Sequence, residues 1–284
     1  MVLSSKTYSP SDFRDPLTAD AARRLRRFAL RLGLNAQPFA VNGILRRRFW
    51  VRKNKMWEYA RGVAFLESAY GVRSVSSAAH TANVSARDST DRHATQAAQM
   101  DKSGPAGQVI RILDFGGAAT LPIFYLTARG CEVFCLDIDQ PLSEYTNQLA
   151  ERRGWNLRAS THNLVTTPAT ADWGKFDAVI SFSVLEHIPK AEQAPLLAKL
   201  AALLKPEGIF ALTFDFGADA PQPDAVRSLE EVARLVSATG LSYADGTALA
   251  DSGERFPLDK RHLKNRFTFA SVFLRRAMNT VPAG

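Results

Sequence analysis

The sequence predicts a doubly wound α/β domain with a mostly parallel sheet and helices on both faces, preceded by a helical N-terminal extension. From Val109 onward, short apolar runs such as VIRILDF, EVFCLDI, FDAVISFSV and IFALTFDF alternate with helical stretches. Near-continuous apolar runs are typical of strands that are buried on both faces. Strands that alternate with helices build a parallel sheet between two helical layers. A late run, RFTFASVFLRR, predicts one more strand.

Composition divides the 284 residues into three predicted zones. Residues 1–71 are interpreted as a basic helical cap and residues 109–284 as the α/β domain. The stretch 72–108 between them is rich in Ser, Ala, Thr, Asp and Gly and has almost no large apolar residues. Such a stretch cannot bury enough apolar surface to fold alone, so we interpret it as a low-complexity linker or insertion.

Two amphipathic helices are predicted within the cap. The first has apolar residues at helical spacing, with Asp20 as a candidate cap and Gly33 as a candidate end. The second covers NKMWEYARGVAFLESAYG, with Asn54 and Gly71 in the same two roles.

The net charge of +8 is concentrated in the N-terminal part. Residues 1–104 contain 18 Lys and Arg against 8 Asp and Glu, whereas residues 105–284 contain 18 against 20. A basic segment fits an anionic partner such as nucleic acid, phospholipid head groups or a phosphorylated substrate. A solvated helical surface has the same composition, so both interpretations stay open.

Apolar runs and cysteines indicate a cytoplasmic protein. No apolar run is long enough to cross a bilayer, and no secretory signal is recognisable, so we expect no membrane span. Cys131 and Cys135 are interpreted as two small buried side chains rather than a disulfide.

The end of the first predicted strand, LDFGGAAT, is a candidate ligand site. In a doubly wound sheet, ligands bind beyond the carboxyl ends of the strands. Asp114 lies at this end, and Gly116 and Gly117 allow a sharp turn and a close approach of backbone to ligand. Thr120 is a candidate cap of the next helix. Asp137 ends the second strand and can accept hydrogen bonds from both hydroxyls of a ribose.

A nicotinamide dinucleotide is the competing ligand for such a turn. The G-x-G-x-x-G spacing is absent, however, and an acid precedes the first glycine. A carboxylate there repels a pyrophosphate but suits a cofactor with a cationic amino-acid end. The sequence therefore favours an adenosine-containing cofactor that ends in a cationic amino acid rather than a dinucleotide.

The motifs resemble those of class I S-adenosylmethionine-dependent methyltransferases. Asp114 and Gly116 match the first motif of that family, whereas Ala118 and Thr120 replace its second and third glycines. If the backbone at position 118 needs a positive φ, alanine costs roughly 1–2 kcal/mol there. The first motif is thus the least regular one.

Four further segments carry the resemblance, which covers about Val109 to Arg276. Asp137 matches the ribose-binding acid, THNL places Asn163 where the family contacts adenine, and FDAVISFSVLEHIP with LLKPEGIFALTF resembles the fourth and fifth strands. The resemblance implies a Rossmann-like, seven-stranded methyltransferase domain with S-adenosyl-L-methionine as cofactor. The cofactor-binding residues that it implies are Asp114, Gly116, Gly117, Ala118, Asp137, Ile138, Asn163, Leu164, Phe182 and Ser183.

Glu186 and His187 are the candidate catalytic residues, because the resemblance places them near the methyl group. A base assists if the acceptor is a hydroxyl or a protonated amine, and His187 is the first candidate because histidine exchanges protons near neutral pH. The alternative interpretation is that Glu186 and His187 only position their loop. Asp215, after the fifth strand, is a weaker alternative that lies on the substrate side.

The acceptor is predicted to be a small molecule or a glycan-type intermediate. Trp57 and Tyr59 offer flat surfaces for it, and the basic residues around them suit an anionic acceptor; the alternative is that both rings only dock their helix onto the core. A nucleic-acid adenine is disfavoured because no Asn/Asp-Pro-Pro-aromatic motif follows the fourth strand. No histidine has sequence neighbours that suggest a metal site.

Two other functions stay open. One is an RNA-binding or RNA-modifying protein that uses the basic N-terminal helices on the same scaffold. The other is a catalytically inactive, methyltransferase-like binding protein.

Overall fold

A computed structural model describes residues 3–35, 39–41, 44–46, 51–71, 109–257 and 266–276. The predicted linker over 72–108 lies outside the described residues. The helices are α1 (Pro16–Asn35), α2 (Lys53–Tyr70), α3 (Leu121–Ala128), α4 (Gln140–Arg153), α5 (Lys190–Ala202) and α6 (Leu229–Thr239). The strands are β1 (Lys6–Thr7), β2 (Phe39–Val41), β3 (Ile44–Arg46), β4 (Arg111–Phe115), β5 (Glu132–Asp137), β6 (Leu157–Thr161), β7 (Phe176–Phe182), β8 (Leu204–Phe216), β9 (Ser242–Tyr243), β10 (Phe256–Pro257) and β11 (Arg266–Arg275).

The main sheet has the order β1-β11-β8-β7-β4-β5-β6, with β9 and β10 also paired to β11. Strands β4 to β8 are all parallel, and β11 runs antiparallel to β8. The prediction of a doubly wound α/β fold is confirmed. The described sheet has nine strands rather than seven: six longer strands, β4 to β8 and β11, and three short ones, β1, β9 and β10, which all pair with β11.

Alternate side chains of the strands point into two helical layers. On one face, residues such as Ile112, Val133 and Phe273 pack with α1, α2, α3 and α4. On the other face, Leu113 and Phe210 pack with α5 and α6. This period-two alternation is what a sheet covered on both faces requires.

The ends of the two N-terminal helices agree only partly with the prediction. Asp15, not Asp20, caps α1, because its Oδ2 accepts the Thr18 backbone N–H at 2.8 Å. Asp20 instead pairs with arginines one turn further on. Helix α1 runs two residues past Gly33. Gly71 does end α2, in the left-handed conformation with a φ of 62°.

The described part of residues 1–71 shares one core with the sheet. Strand β1 pairs with β11, and Ser5 Oγ accepts the backbone N–H of Phe273 at 3.0 Å. Arg61 of α2 is buried and donates to Ser271 Oγ at 3.0 Å, and the rings of Phe65 and Phe273 stack with centroids 4.4 Å apart. Helix α2 is thereby fixed across β7, β8 and β11.

Both cysteines of this part are buried and free. Cys135 lies inside β5, whereas Cys131 precedes it. The two thiols are not joined to each other, and they stay small buried side chains as the sequence suggests.

Candidate functional site

The glycine turn between β4 and α3 packs tightly on its neighbours. Gly116 has a φ of 78°, and its N–H donates to the Leu136 carbonyl at 2.7 Å. A Cβ on Gly116 would lie 2.6 Å from Cγ2 of Val184, and one on Gly117 would lie 2.4 Å from Oδ2 of Asp114. The turn therefore needs glycine at both positions, and it touches the loop that follows β7.

The carboxyl group of Asp114 packs under the glycine turn and accepts hydrogen bonds there. Its side chain is buried, and its carboxyl accepts from Cys135 Sγ at 3.0 Å and from the backbone of Gly117. Burial raises the pKa of Asp114 to about 7, and the charge of Asp137 adds to this effect. Asp114 therefore holds the shape of the turn.

The strained backbone position is Ala119, not Ala118. Ala119 has a φ of 59°, whereas Ala118 does not have a positive φ. The methyl group of Ala118 is buried in the core, and its N–H donates to Asp137 Oδ2 at 3.0 Å. Alanine at 118 thus carries no conformational penalty of the kind considered from the sequence.

Asp137 stands at the carboxyl end of β5, beside the turn. Its carboxylate also accepts the Asp139 N–H at 2.9 Å and is half-buried. The next side chain, Ile138, is 72% exposed, although it is a large apolar residue. A carboxylate beside an exposed apolar side chain suits a ribose and the flat base attached to it.

The segment after β6 contains two of the predicted cofactor-binding residues, Asn163 and Leu164, and they differ in exposure. Asn163 is exposed, and its Oδ1 accepts the Val165 N–H at 3.1 Å. The side chain of Leu164 is fully buried in the core on the α5 and α6 face. Asn163 is accessible to a ligand, whereas the Leu164 side chain is not.

A buried polar cluster lies where α2 crosses the ends of β7 and β8. Glu58 of α2 is fully buried and accepts from Thr213 Oγ1 at 2.6 Å and from Ser183 Oγ. Lys55 Nζ lies 3.1 Å from Glu58 Oε1 and also bonds Ser183 Oγ. Ser183 has a φ of 56°, which is unusual for a residue other than glycine. The strained Ser183 therefore joins the lysine and the glutamate.

Two more carboxyl groups, from Glu186 and Asp215, belong to this cluster. They are 2% and 5% exposed. Burial, together with the charges of Asp215 and Glu58, raises the pKa of Glu186 to about 8. Burial also raises the pKa of Asp215 to about 7, again with the charge of Glu58. Burial alone would lower the pKa of Lys55, but its acidic neighbours, with Glu58 foremost, raise it. We name these six residues, Lys55, Glu58, Ser183, Glu186, Thr213 and Asp215, the acidic cluster.

Close packing of α2 on Phe182 fixes the cluster in place. A Cβ on Gly62 would lie 2.2 Å from Cζ of Phe182, so only glycine lets the helix approach this ring. Tyr59 packs against the same ring with centroids 6.2 Å apart. Phe182 and Tyr59 thus meet at the boundary between α2 and the end of β7.

Two residues predicted for the site lie apart from this chemistry. His187 is exposed, although Glu186 beside it in the same short turn is buried. Trp57 is fully buried, donates from Nε1 to Asp12 Oδ2 at 2.9 Å and packs edge-on against Tyr8. Its ring therefore offers no face to an acceptor, and it docks the N-terminal segment instead.

Lys55, Glu58 and Thr213 were missed by reasoning from the sequence. A signal existed for Glu58, which with Glu67 is one of only two acids within a helical stretch that is otherwise rich in apolar residues. Thr213 and Asp215 alternate with phenylalanines in the apolar run of β8, which also marks them. Lys55 had no local signal.

Metal and membrane features are absent from the part of the chain that the structure describes. There, no group of three or more His, Cys, Asp or Glu side chains is arranged to hold a metal ion. None of the helices described is long and apolar enough to cross a membrane.

Residues 112–208 match the model of a family described as a methyltransferase domain. This segment runs from β4 to the start of β8 and contains the glycine turn, Asp137 and the loop after β7. The matched segment covers about a third of the chain and is similar to a methyltransferase domain, a family whose methyl donor is S-adenosylmethionine. This similarity agrees with the sequence-based prediction of the family and its cofactor.

Solved structures of methyltransferases are similar to the chain at a distance. TehB from Haemophilus influenzae shares 14% identity over 60% of this chain and 58% of its own, with a TM-score of 0.48. A TehB-like methyltransferase from Corynebacterium glutamicum shares 18% identity over 61% of this chain and 83% of its own, with a TM-score of 0.44. An O-methyltransferase from a polyketide synthase of Brevibacillus brevis shares 12% identity over 60% of this chain and 67% of its own, with a TM-score of 0.44. The chain thus spans less than two thirds of TehB. No curated protein matches it by sequence.

Proposed function

We propose that this protein transfers a methyl group from S-adenosylmethionine to a small-molecule or glycan-type acceptor that binds beside the acidic cluster. The observation that carries the proposal is the contact of Gly116 with Val184. This contact joins the glycine turn to the loop that bears Ser183 and Glu186. A donor held by the turn and an acceptor held at the cluster would therefore be neighbours, and methyl transfer mainly requires such alignment.

The residues at the carboxyl edge fit the proposed donor. Gly116 and Gly117 leave a cradle that a side chain would fill, Asp137 offers a carboxylate to the ribose hydroxyls, and Ile138 exposes an apolar surface beside it. S-adenosylmethionine supplies an electrophilic methyl group on a sulfonium. Phe182 and Asn163 stay candidates for further contacts.

Calorimetry with S-adenosylhomocysteine tests donor binding. We expect Asp137→Ala to weaken binding at least about 10-fold, because a charged hydrogen bond contributes roughly 1.5–3 kcal/mol. Glu207→Ala, an exposed acid at the opposite edge of the sheet, is the control and should bind normally. Failure of the unmodified protein to bind at millimolar ligand would contradict the proposal. Unchanged activity of Asp137→Ala would favour a binding protein with a degenerate donor site.

Within this proposal, Glu186 is favoured over His187 as the base. Its burial and raised pKa allow it to exchange a proton near neutral pH, as a base requires. We expect Glu186→Gln to lower kcat about 100-fold or more with S-adenosylhomocysteine affinity unchanged. Single-turnover kinetics measures this, and His187→Gln is the matched comparison. A larger loss of kcat in His187→Gln would restore the histidine as the base.

A second candidate function is RNA binding through α1. This helix exposes Arg23, Arg26, Arg27 and Arg31. Deleting the segment would remove β1 and α2 from the core, so substitution is the proper test. We expect Arg26→Gln with Arg27→Gln to reduce the salt dependence of RNA affinity by about two phosphate contacts. Arg234→Gln on α6 is the control, and absence of RNA binding excludes this function.

A cytoplasmic location is part of the proposal. Two free, buried cysteines support it, since a reducing compartment keeps thiols unpaired. Fractionation of cells that express the full chain would check it.

A further inference from the structure

The acidic cluster has more negative than positive groups. Glu58, Glu186 and Asp215 contribute three carboxyl groups, and Lys55 contributes a single ammonium. All three acids are buried, so water does not compensate their charges well. Lys55 balances only one of the three, so burial and mutual repulsion favour the protonated forms of Glu186 and Asp215 while the site is empty. A second cation bound there would allow these two carboxyl groups to ionise.

Two carboxylate oxygens of the cluster lack a hydrogen-bond partner among the described residues, but Glu58 Oε1 is ion-paired with Lys55, so Glu186 Oε2 is the one that lacks both. Glu186 Oε2 is buried and has no hydrogen-bond partner among the described residues. The short turn that carries Glu186 packs on β8, the strand of Thr213 and Asp215, and the backbone N–H of Ser183 just before this turn donates to the Thr213 carbonyl at 2.8 Å. A buried acceptor without a donor is costly, which points to a donor supplied by a ligand.

The cation that fits is an ammonium rather than a metal ion. Among the described residues, no set of acids is arranged to ligate a metal. Lys55 already shows how an ammonium is held here, by a carboxylate and a hydroxyl together. The cluster also disfavours an anionic acceptor, because like charges in a buried site repel.

We propose that the methyl acceptor is a protonated primary amine, bound with its ammonium group between Glu186 and Asp215. The inference rests on the proposed function and narrows its acceptor class. The basic N-terminal charge had suggested an anionic acceptor, but the charges that line this site are acidic.

The chemistry balances with residues of this chain. The bound ammonium gives one proton to Glu186 Oε2 and becomes a neutral amine with a free electron pair. The nitrogen uses that pair to form a bond to the methyl carbon, while the electrons of the broken carbon–sulfur bond remain on sulfur as a neutral thioether. The product is a protonated methylamine, and Glu186 later releases its proton to water.

Probe binding tests the acceptor class directly. Benzylamine, benzyl alcohol and benzoate share one skeleton, as do butylamine, butanol and butyrate. Each is titrated by calorimetry into the protein saturated with S-adenosylhomocysteine. We expect the amines to bind at least about 10-fold more tightly than their partners. Mass spectrometry of reactions with S-adenosylmethionine should show methylated amine and no methyl ether or ester.

Variants locate the binding site. Asp215→Asn and Glu186→Gln should each weaken amine binding at least about 10-fold while leaving S-adenosylhomocysteine binding intact. Glu207→Gln is the matched control at the far edge of the sheet. Far-UV circular dichroism of each variant confirms that it is folded. Amine affinity equal to that of the control in both variants would overturn the proposal.

A variant of Lys55 distinguishes an amine acceptor from an anionic acceptor. Removing its charge in Lys55→Gln should maintain or strengthen amine binding, because the cluster becomes more negative. An anionic acceptor would instead lose affinity in this variant. Tighter binding of alcohol or carboxylate probes, displacement of amines by Mg²⁺, or no amine binding beside normal S-adenosylhomocysteine binding would each overturn the inference alone. Loss of S-adenosylhomocysteine binding in the unmodified protein would overturn the proposed function itself.

Discussion

At the scale of single residues, two strained positions lie at the same edge of the sheet. Ala119 follows the glycine turn and Ser183 follows β7, and both have a φ near the left-handed helical value. Such conformations persist where the surrounding structure holds them, and they cluster at binding sites. Ala119 N–H donates to Thr146 Oγ1 at 2.8 Å, and Ser183 is held by Lys55 and Glu58.

The two neighbouring alanines offer a test of backbone strain. Ala119→Gly should raise the free energy of unfolding by about 0.5–1 kcal/mol, because relief of the positive φ exceeds the entropy gained by the unfolded chain. Ala118→Gly, without positive φ and with a buried methyl group, should lower it. Urea denaturation measures both. Equal effects at the two positions would contradict the assignment of strain to Ala119.

The raised pKa of Glu186 predicts how the free energy of unfolding depends on pH. Its pKa is raised in the folded state from 4.5 to about 8, so the folded protein binds a proton that the unfolded chain releases. The resulting stabilisation is fully present below about pH 4.5 and is lost as the pH rises through about 8. Asp215, raised to about 7, acts in the same direction. The free energy of unfolding should therefore fall between these pH values.

Denaturation of Glu186→Gln across this pH range checks the assignment. The variant carries no titrating group at this position, so its stability should vary less with pH than that of the unmodified protein. Glu207→Gln, an exposed glutamate changed in the same way, should retain the full dependence. Parallel profiles for all three proteins would show that Glu186 does not titrate as inferred.

At the scale of elements, α2 connects the N-terminal segment to the candidate site. Eleven consecutive residues of this helix, from Met56 to Leu66, are buried, so it is surrounded on all sides. The same helix places Lys55 and Glu58 in the acidic cluster and Trp57 and Arg61 against β11 and the N-terminal segment. Movement of α2 would therefore alter packing and site together.

Gly62 is the point of closest approach between α2 and the site. Gly62→Ala should lower the free energy of unfolding by about 1–3 kcal/mol, because its methyl group overlaps the Phe182 ring. Phe182→Leu removes the overlapping atoms, so the double variant should lose less than the sum of the two single losses. Thermal unfolding of the four proteins measures this coupling. Additive losses would mean that the helix and the ring are independent.

At the scale of the whole molecule, the N-terminal segment belongs to the same cooperative unit as the sheet. Asp12 is buried, and its Oδ2 accepts from Trp57 Nε1 at 2.9 Å and from the Ser9 N–H at 3.0 Å. Thr7 Oγ1 accepts the Ser252 N–H at 2.7 Å, across the length of the chain. The segment thus joins the first and last described parts of the fold.

Cooperativity of this kind is measurable through tryptophan fluorescence. Asp12→Ala should lower the free energy of unfolding by about 2–4 kcal/mol, because it leaves buried donors unpaired. Asp20→Ala, which removes exposed ion pairs, should change it by less than about 1 kcal/mol. Fluorescence and far-UV circular dichroism should report one coincident transition. Two separate transitions would show that the segment unfolds independently.

Local sequence patterns were sufficient to predict the doubly wound architecture and to point to the proposed donor edge of the site. Apolar runs, helix periodicity, the paired glycines and Asp137 are local features, and each follows from a few neighbouring residues. Local rules were less exact for helix ends, where Asp15 rather than Asp20 caps α1.

The proposed acceptor edge became visible only when distant elements were packed together. Glu58 meets Ser183 and Thr213, which are 125 and 155 residues away along the chain, and no periodic pattern records such contacts. Glu186 is buried and its neighbour His187 is exposed, because the short turn directs these two consecutive side chains in different directions. The acidity of the site follows from burying three carboxyl groups together, and that depends on how distant elements pack.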